Sequence, residues 1–173
     1  MIIWLVGLSG AGKTTVGREV VRQWKRSAPN TVLVDGDEIR ALYKHDQRPG
    51  SHTVEGRRDN AERITALCHW LDGQGINAVV CILSIFPEMR AENRMRFSQY
   101  FEVYLKVPLP ALQARDEKGL YGKAARGEMT HVVGIDIPFP EPETADLVVD
   151  NTPGAAAPEN LARRILEGAG VLK

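Results

Sequence analysis

Between an apolar run and an amphipathic segment near the start of the chain stands GLSGAGKTT, residues 7–15. Gly7, Gly12, Lys13 and Thr14 meet the spacing G-x-x-x-x-G-K-[ST], with Ser9, Gly10 and Ala11 inside the turn and Thr15 just after it. Glycines let the backbone fold tightly, so that successive N–H groups point inward and cradle phosphate oxygens. A helix starting at the lysine adds unpaired donors and a partial positive charge. Lys13 can then reach the β- and γ-phosphates of ATP, and the Thr14 hydroxyl can ligate Mg²⁺. The plain alternative is a glycine turn beside a lysine, but a chance match arises only on the order of one time in a hundred at average residue frequencies.

A second group of chemically capable residues lies in LVDGDEIR, 33–40. Large motor ATPases and GTPases carry their metal-organising acid at the end of a later strand, whereas the third apolar run here ends CILS, 81–84, without one. Asp35 and Asp37, with Gly36 easing the turn between them, project toward the ligand crevice if the preceding run is a parallel strand. One of the two acids can then hold Mg²⁺ through water while the other accepts the proton of an attacking hydroxyl. The competing reading is a helix N-cap, since aspartate is favoured there. Arginines follow: Arg40 one turn on, Arg57, Arg58 and Arg63 around Asn60, then Arg90 and Arg94. Guanidinium forks suit phosphate or sulfate oxygens. Arg115, Lys118, Lys123 and Arg126 add a basic segment able to close over ATP and exclude water. These parts describe a small-molecule kinase. A nucleotide-binding protein that had lost catalysis would have lost some of Lys13, Thr14, Asp35 and Asp37, and all four stand.

The elements that must position these groups are legible as alternation. Five apolar, β-branched runs, 2–6, 31–35, 77–83, 101–107 and 145–150, are mostly continuous, as strands covered on both faces are. Helical periodicity lies between them: Val16, Val20 and Trp24; Ala61, Ile64, Cys68 and Leu71; and Leu161 with Ile165 after Pro158. Strands alternating with helices require a parallel sheet wrapped by helices. Residues 45–58 and 116–134 break the alternation and read as loops, the second as a lid; 151–158 reads as a linker. The 173 residues fit a single domain, 1–173. Twenty-two basic residues balance 22 acidic ones, so no net charge draws the chain to nucleic acid or membrane. Aromatics at 6% argue against a stacking groove for polynucleotides. The apolar run 2–6 is too short to cross a bilayer and lacks the flanks of a signal peptide, so a cytoplasmic location is expected. Cys68 and Cys81 lie within apolar patterns and read as buried free thiols.

GLSGAGKTT, DGDEIR, the pair Arg57-x-x-Asn60, FEVYLKVPL, RDEKGLYGKA and GID together resemble the adenylyl-sulfate kinase family, from about Ile3 to Asp150. The resemblance implies an α/β fold of P-loop NTPase type: a nucleotide-kinase-like three-layer sandwich on a five-stranded parallel sheet, with a lid. It implies transfer of the ATP γ-phosphate to the 3′-hydroxyl of adenosine 5′-phosphosulfate in sulfate assimilation, with Mg²⁺, usually by a homodimer. By position, Gly7 to Thr15 and Arg115 hold ATP, Asp37 stands beside the acceptor hydroxyl and Asp35 supports Mg²⁺ with Thr14. Arg40, Arg57 and Asn60 match acceptor-site residues. Ser84 matches a serine phosphorylated in some members, with Ile85 and Phe86 after it. Lys118, Gly119 and Leu120 lie in the lid.

The chain also departs from the family. Where members read Leu-Gly-Phe-Ser, RPGSHTVEGR stands; where they read Gly-Phe-Thr-Gly, His131, Val132, Val133 and Gly134 stand. Both phenylalanines that the resemblance assigns to clamping the adenine are therefore missing, with Val132 at one of the positions. Losing them weakens purine stacking by roughly 1–3 kcal/mol per platform. The alternative acceptor is another nucleotide conjugate such as cytidine diphosphoramidate, which a homologous group phosphorylates. His45 and His52 are candidates for a new base contact.

Overall fold

A computed structural model describes residues 1–116 and 119–172. The chain runs β1 (Ile2–Val6), α1 (Lys13–Trp24), β2 (Thr31–Asp35), α2 (Gly36–Leu42), α3 (Val54–Gly73), β3 (Asn77–Ile82), α4 (Pro87–Arg96), β4 (Tyr100–Lys106), α5 (Leu109–Arg115), α6 (Leu120–Ala125), β5 (Leu147–Asp150) and α7 (Pro158–Gly168). All neighbouring strands pair in parallel, in the order β2-β3-β1-β4-β5.

Because successive strand residues face opposite sides, the central strands divide their apolar residues between two cores. Ile2, Trp4 and Val6 of β1 join Ala78, Val80 and Ile82 of β3 on one face, packed on Ile39, Ala61, Ile64, Cys68 and Leu71 of α2 and α3. Ile3 and Leu5 join Val79, Cys81, Val103, Leu105 and Val149 on the other, packed on Val16, Val20 and Trp24 of α1 and Leu161 and Ile165 of α7. The result is the expected three-layer α/β sandwich. Both cysteines are buried and free. Among the described residues no helix is long and apolar enough to cross a membrane.

The two stretches that read as loops carry more structure than their polarity implies. Residues 45–58 include the first turns of α3, capped at Thr53, whose Oγ1 accepts the Gly56 N–H at 3.2 Å. A side chain at Gly56 would collide with the Gly50 carbonyl, so the Pro-Gly turn packs directly on the helix start. His45 is buried, its Nε2 3.0 Å from the Gly56 carbonyl, and is a structural residue rather than a base contact. Within 116–134, α6 begins where the Asp116 carboxylate accepts the N–H groups of Tyr121 (3.1 Å) and Gly122 (2.7 Å). The edge strand β5 is shorter than its apolar run: Ala145 and Asp146 lie outside it, and the Asp146 carboxylate instead binds Arg94 and the Glu102 N–H.

The strand order places β1 between β3 and β4, so the loop leaving β1 opens into the crevice beyond the strand C-termini. The loop after β2 and the loop after β3 end on the same side of the sheet. This arrangement brings residues 7–15, 35–40 and 84–86 together.

Candidate active site

The loop from Gly7 to Gly12 turns through left-handed backbone at Gly10 (φ 77°) and Gly12 (φ 87°), a region closed to most side chains. Gly7 packs so closely that a Cβ would sit 2.8 Å from the Leu105 carbonyl, and one at Gly12 would strike the Asn151 amide. That amide donates to the Ala11 carbonyl at 2.8 Å, Tyr121 Oη donates to the Ser9 carbonyl at 2.9 Å and Arg115 Nη1 to the Gly10 carbonyl at 3.2 Å. The carbonyls of Ser9, Gly10 and Ala11 are thus bonded from outside the loop, and the Ala11 N–H turns back on the Leu8 carbonyl at 3.2 Å. Lys13 opens α1 and its Nζ donates to the Gly7 and Leu8 carbonyls, each at 2.8 Å.

Asp35 is the N-cap of α2 and also reaches the glycine loop's helix. Its Oδ1 caps α2 by accepting the N–H groups of Asp37 (2.9 Å) and Glu38 (3.4 Å), while its Oδ2 accepts the Thr14 hydroxyl at 2.6 Å. A threonine hydroxyl and a carboxylate converging at that separation are hard oxygen donors of the kind Mg²⁺ takes, alongside phosphate oxygens and water. The described residues contain no cluster of three or more His, Cys, Asp or Glu side chains, and this mode of binding requires none. Asp37 stands in the first turn of α2 with its side chain 69% exposed, 3.5 Å from Arg40 Nη1.

The cleft has a volume of about 420 Å³. Ser9, Gly10, Gly12, Lys13, Thr14, Thr15 and Arg115 line one end; Asp35, Gly36 and Asp37 stand with Arg40, His52, Arg57, Asn60, Ser84, Ile85, Phe86, Leu120 and Val133 along the rest. Asn60 donates from Nδ2 to the Gly36 carbonyl at 3.3 Å. Burial pushes the Arg40 guanidinium below its ordinary value, and burial with the charge of Arg40 pushes Arg57 down to about 10. Both remain cations at neutral pH. Ser84 adopts φ 55°, held by Arg90, which donates to its carbonyl, while its Oγ accepts the Trp4 indole N–H at 3.2 Å. Arg90 and Glu102 form a buried pair at 3.6 Å, and Arg94 is spent on Asp146, so neither arginine serves as a phosphate grip.

Several expected site residues fall elsewhere. Val132 and Val133 are both buried in the core, 1% and 3% exposed, and of the two it is Val133 that borders the cleft. Gly7 and Ala11 shape the loop from behind, and Gly119 caps α6 at φ 62° without lining the cleft. Lys118 lies outside the described residues. Sequence reasoning missed Asn151 and Tyr121. Asn151 directly follows β5, at the strand end that faces the crevice, and that position was a usable signal. Tyr121 offered none beyond its place in the lid.

A glycine-lined phosphate loop, an acid pair at the end of the neighbouring strand and a cationic far wall on a parallel sheet define a phosphotransferase of the P-loop kinase class. The family model for adenylylsulphate kinase matches residues 1–150, and the chain belongs to that family. It is 39% identical over 151 residues to cytidine diphosphoramidate kinase of Campylobacter jejuni, covering 87% of this chain and 86% of that one. It is 38% identical over 152 residues to adenylyl-sulfate kinase of Myxococcus xanthus, covering 86% and 80%. Among solved structures, the Mycobacterium tuberculosis APS kinase in complex with AMPPNP and APS superposes with a TM-score of 0.86 at 29% identity, over 98% of this chain and 96% of that one.

Proposed function

We propose that the chain transfers the γ-phosphate of ATP to the 3′-hydroxyl of a nucleotide 5′-conjugate, and that cytidine diphosphoramidate is the acceptor. One observation carries the choice of acceptor: the cleft lacks a pair of open ring faces. Among the described lining residues Phe86 is the one benzenoid ring, and the Arg58 guanidinium lies 4.1 Å from its centroid. Ile85 and Val133 supply aliphatic wall instead. A purine deprived of a stacking platform loses roughly 1–3 kcal/mol, and a pyrimidine, with its smaller face, has less to lose. The relative named for cytidine diphosphoramidate supports this reading. The second reading, adenylyl sulfate, is supported by the family match and by the likeness to the APS-bound enzyme.

In the proposed reaction backbone N–H groups of the glycine loop and of the first turn of α1, with the Lys13 ammonium, hold the triphosphate, and Arg115 adds charge from the lid side. Thr14 and Asp35 would hold Mg²⁺, which neutralises phosphate charge when bound. Asp37 takes the proton of the acceptor hydroxyl as its oxygen bonds to the γ-phosphorus. The bond from that phosphorus to the bridging oxygen breaks, and ADP leaves. Arg40 and Arg57 hold the acceptor's 5′ anion. A homodimer, the assembly the resemblance implies, belongs to the same proposal and is read by sedimentation equilibrium.

The test is ADP release in the presence of each acceptor. The expected result is a kcat/KM for cytidine diphosphoramidate about tenfold or more above that for adenylyl sulfate, the equivalent of one lost ring platform. Equal or greater efficiency with adenylyl sulfate overturns the choice of acceptor.

A further inference from the structure

One side chain ties two walls of the cleft together. Arg57, in the first turn of α3, donates from Nε to the His52 carbonyl at 2.9 Å and from Nη2 to the His131 carbonyl at 2.9 Å. From the other side, the Asp136 carboxylate accepts the N–H groups of His131 and Val132. His131 sits at φ 63°, a conformation rare for a residue with a side chain and here held by bonds on both sides. Residues 52 and 133 therefore face one cleft from walls whose separation is fixed by Arg57.

The groups at this end differ in what they can recognise. Arg40 and Arg57 are cations and match the anionic part of a nucleotide conjugate. His52 lines the same cleft, and among the described residues nothing bonds to either of its ring nitrogens. Burial, Arg40 and Arg57 lower its pKa, against a smaller opposing influence from Asp37 and with a further lowering by His45. An uncharged imidazole is a poor anion ligand beside two arginines, but it offers one donor and one acceptor. The two nitrogens point away from each other, so one of them at a time can meet the Watson–Crick edge of a base, the acceptor taking an amino N–H or the donor reaching a ring nitrogen.

We infer that His52 is a specificity-determining residue that hydrogen-bonds the base edge of the acceptor and thereby selects a pyrimidine over a purine. Cytosine and adenine both present an amino group beside a ring nitrogen, but the purine edge lies one fused ring further from the sugar. The Arg57 bond to the His52 carbonyl fixes the backbone from which the imidazole extends, and a base edge one fused ring further out lies at a different reach from that point. The inference rests on the proposal that the acceptor is a nucleotide conjugate.

The test compares wild type with His52→Ala and His52→Gln. Dissociation constants for CMP and AMP are measured by calorimetry, beside kcat and KM for cytidine diphosphoramidate and adenylyl sulfate. Losing the contact should weaken CMP about tenfold, move the CMP-to-AMP ratio by a similar factor, and leave KM for ATP within about twofold. His52→Gln, which keeps a donor and an acceptor, should recover part of the loss. A ratio unmoved in both variants, with melting temperatures equal to wild type, overturns the inference. The wild-type kinetics separately decide the preferred acceptor. Should adenylyl sulfate prove preferred while His52→Ala still shifts the nucleotide ratio, the choice of acceptor fails, His52 remains a base-reading residue, and its selection of a pyrimidine is overturned.

Discussion

The two ends of the cleft are built on different principles. The end proposed for the phosphate donor comes from one continuous loop shaped by its backbone: glycines at φ 77° and 87°, with carbonyls taken by Asn151, Tyr121 and Arg115. The end proposed for the acceptor is assembled from separate segments around 35–40, 52–60, 84–86 and 133, and its surface is largely side chain. A backbone cradle tolerates no replacement of its glycines, because each added Cβ meets a neighbour or a forbidden φ. A side-chain wall can exchange phenylalanine for valine or histidine and change its ligand while the sheet beneath stays as it was. One family can therefore share a donor and diverge in its acceptor.

That contrast is broken most severely at the chemistry shared by every acceptor. Asp37→Asn should lower kcat about 10²–10⁴-fold, the usual value of a positioned general base, with cytidine diphosphoramidate and adenylyl sulfate affected alike. Lys13→Ala should cost about 10²–10³-fold by removing the cation from the transferring phosphate. Both are read by single-turnover phosphoryl transfer, with circular dichroism confirming the fold. Wild-type kcat in Asp37→Asn would remove that residue from the proposed mechanism. A loss confined to one acceptor would contradict the division into a shared end and a variable end.

A smaller, selective effect is expected at the valines. Val133 is 3% exposed but borders the cleft, so the ring of Val133→Phe has to turn out into that space, where it should improve adenylyl-sulfate affinity about tenfold with KM for ATP unchanged. Val132→Phe forces a ring into a core position that is 1% exposed and should instead cost about 1–3 kcal/mol of stability, read by thermal melting. If Val132→Phe improved adenylyl-sulfate binding while Val133→Phe did not, the assignment of the cleft wall would be reversed.

The same contrast governs how much the sequence discloses. The donor end is contiguous, so its spacing is written in one line from Gly7 to Thr15. The fold follows from apolar runs whose alternate residues divide between two faces, as Ile2, Trp4 and Val6 against Ile3 and Leu5 show. Tertiary proximity is what a linear reading lacks. Nothing local says that Val133 rather than Val132 reaches the cleft, because the segment is turned by a left-handed His131 pinned between Arg57 and Asp136. The polarity of residues 45–58 likewise hides a helix start, since Thr53 caps α3 from within a stretch dominated by turn residues. Arg90 reads as a phosphate ligand by residue type, but its partner Glu102 lies on β4, a strand away in sequence.

The cap offers the mildest test. Thr53 Oγ1 accepts the Gly56 N–H at 3.2 Å and its hydroxyl donates to the Gly50 carbonyl at 2.7 Å, so one hydroxyl both starts α3 and closes the Pro-Gly turn against it. Removing an N-cap of this type costs about 1 kcal/mol. The first turn of α3 carries Arg57, and the residue before the cap is His52, so fraying there loosens the bracket across the acceptor end without touching the phosphate loop. Thr53→Ala should therefore raise KM for the acceptor severalfold while KM for ATP holds, and Thr53→Ser, which keeps the hydroxyl, should behave as wild type. Equal rises in both KM values would mean that the two ends are mechanically coupled, and the independence on which their separate evolution depends would be lost.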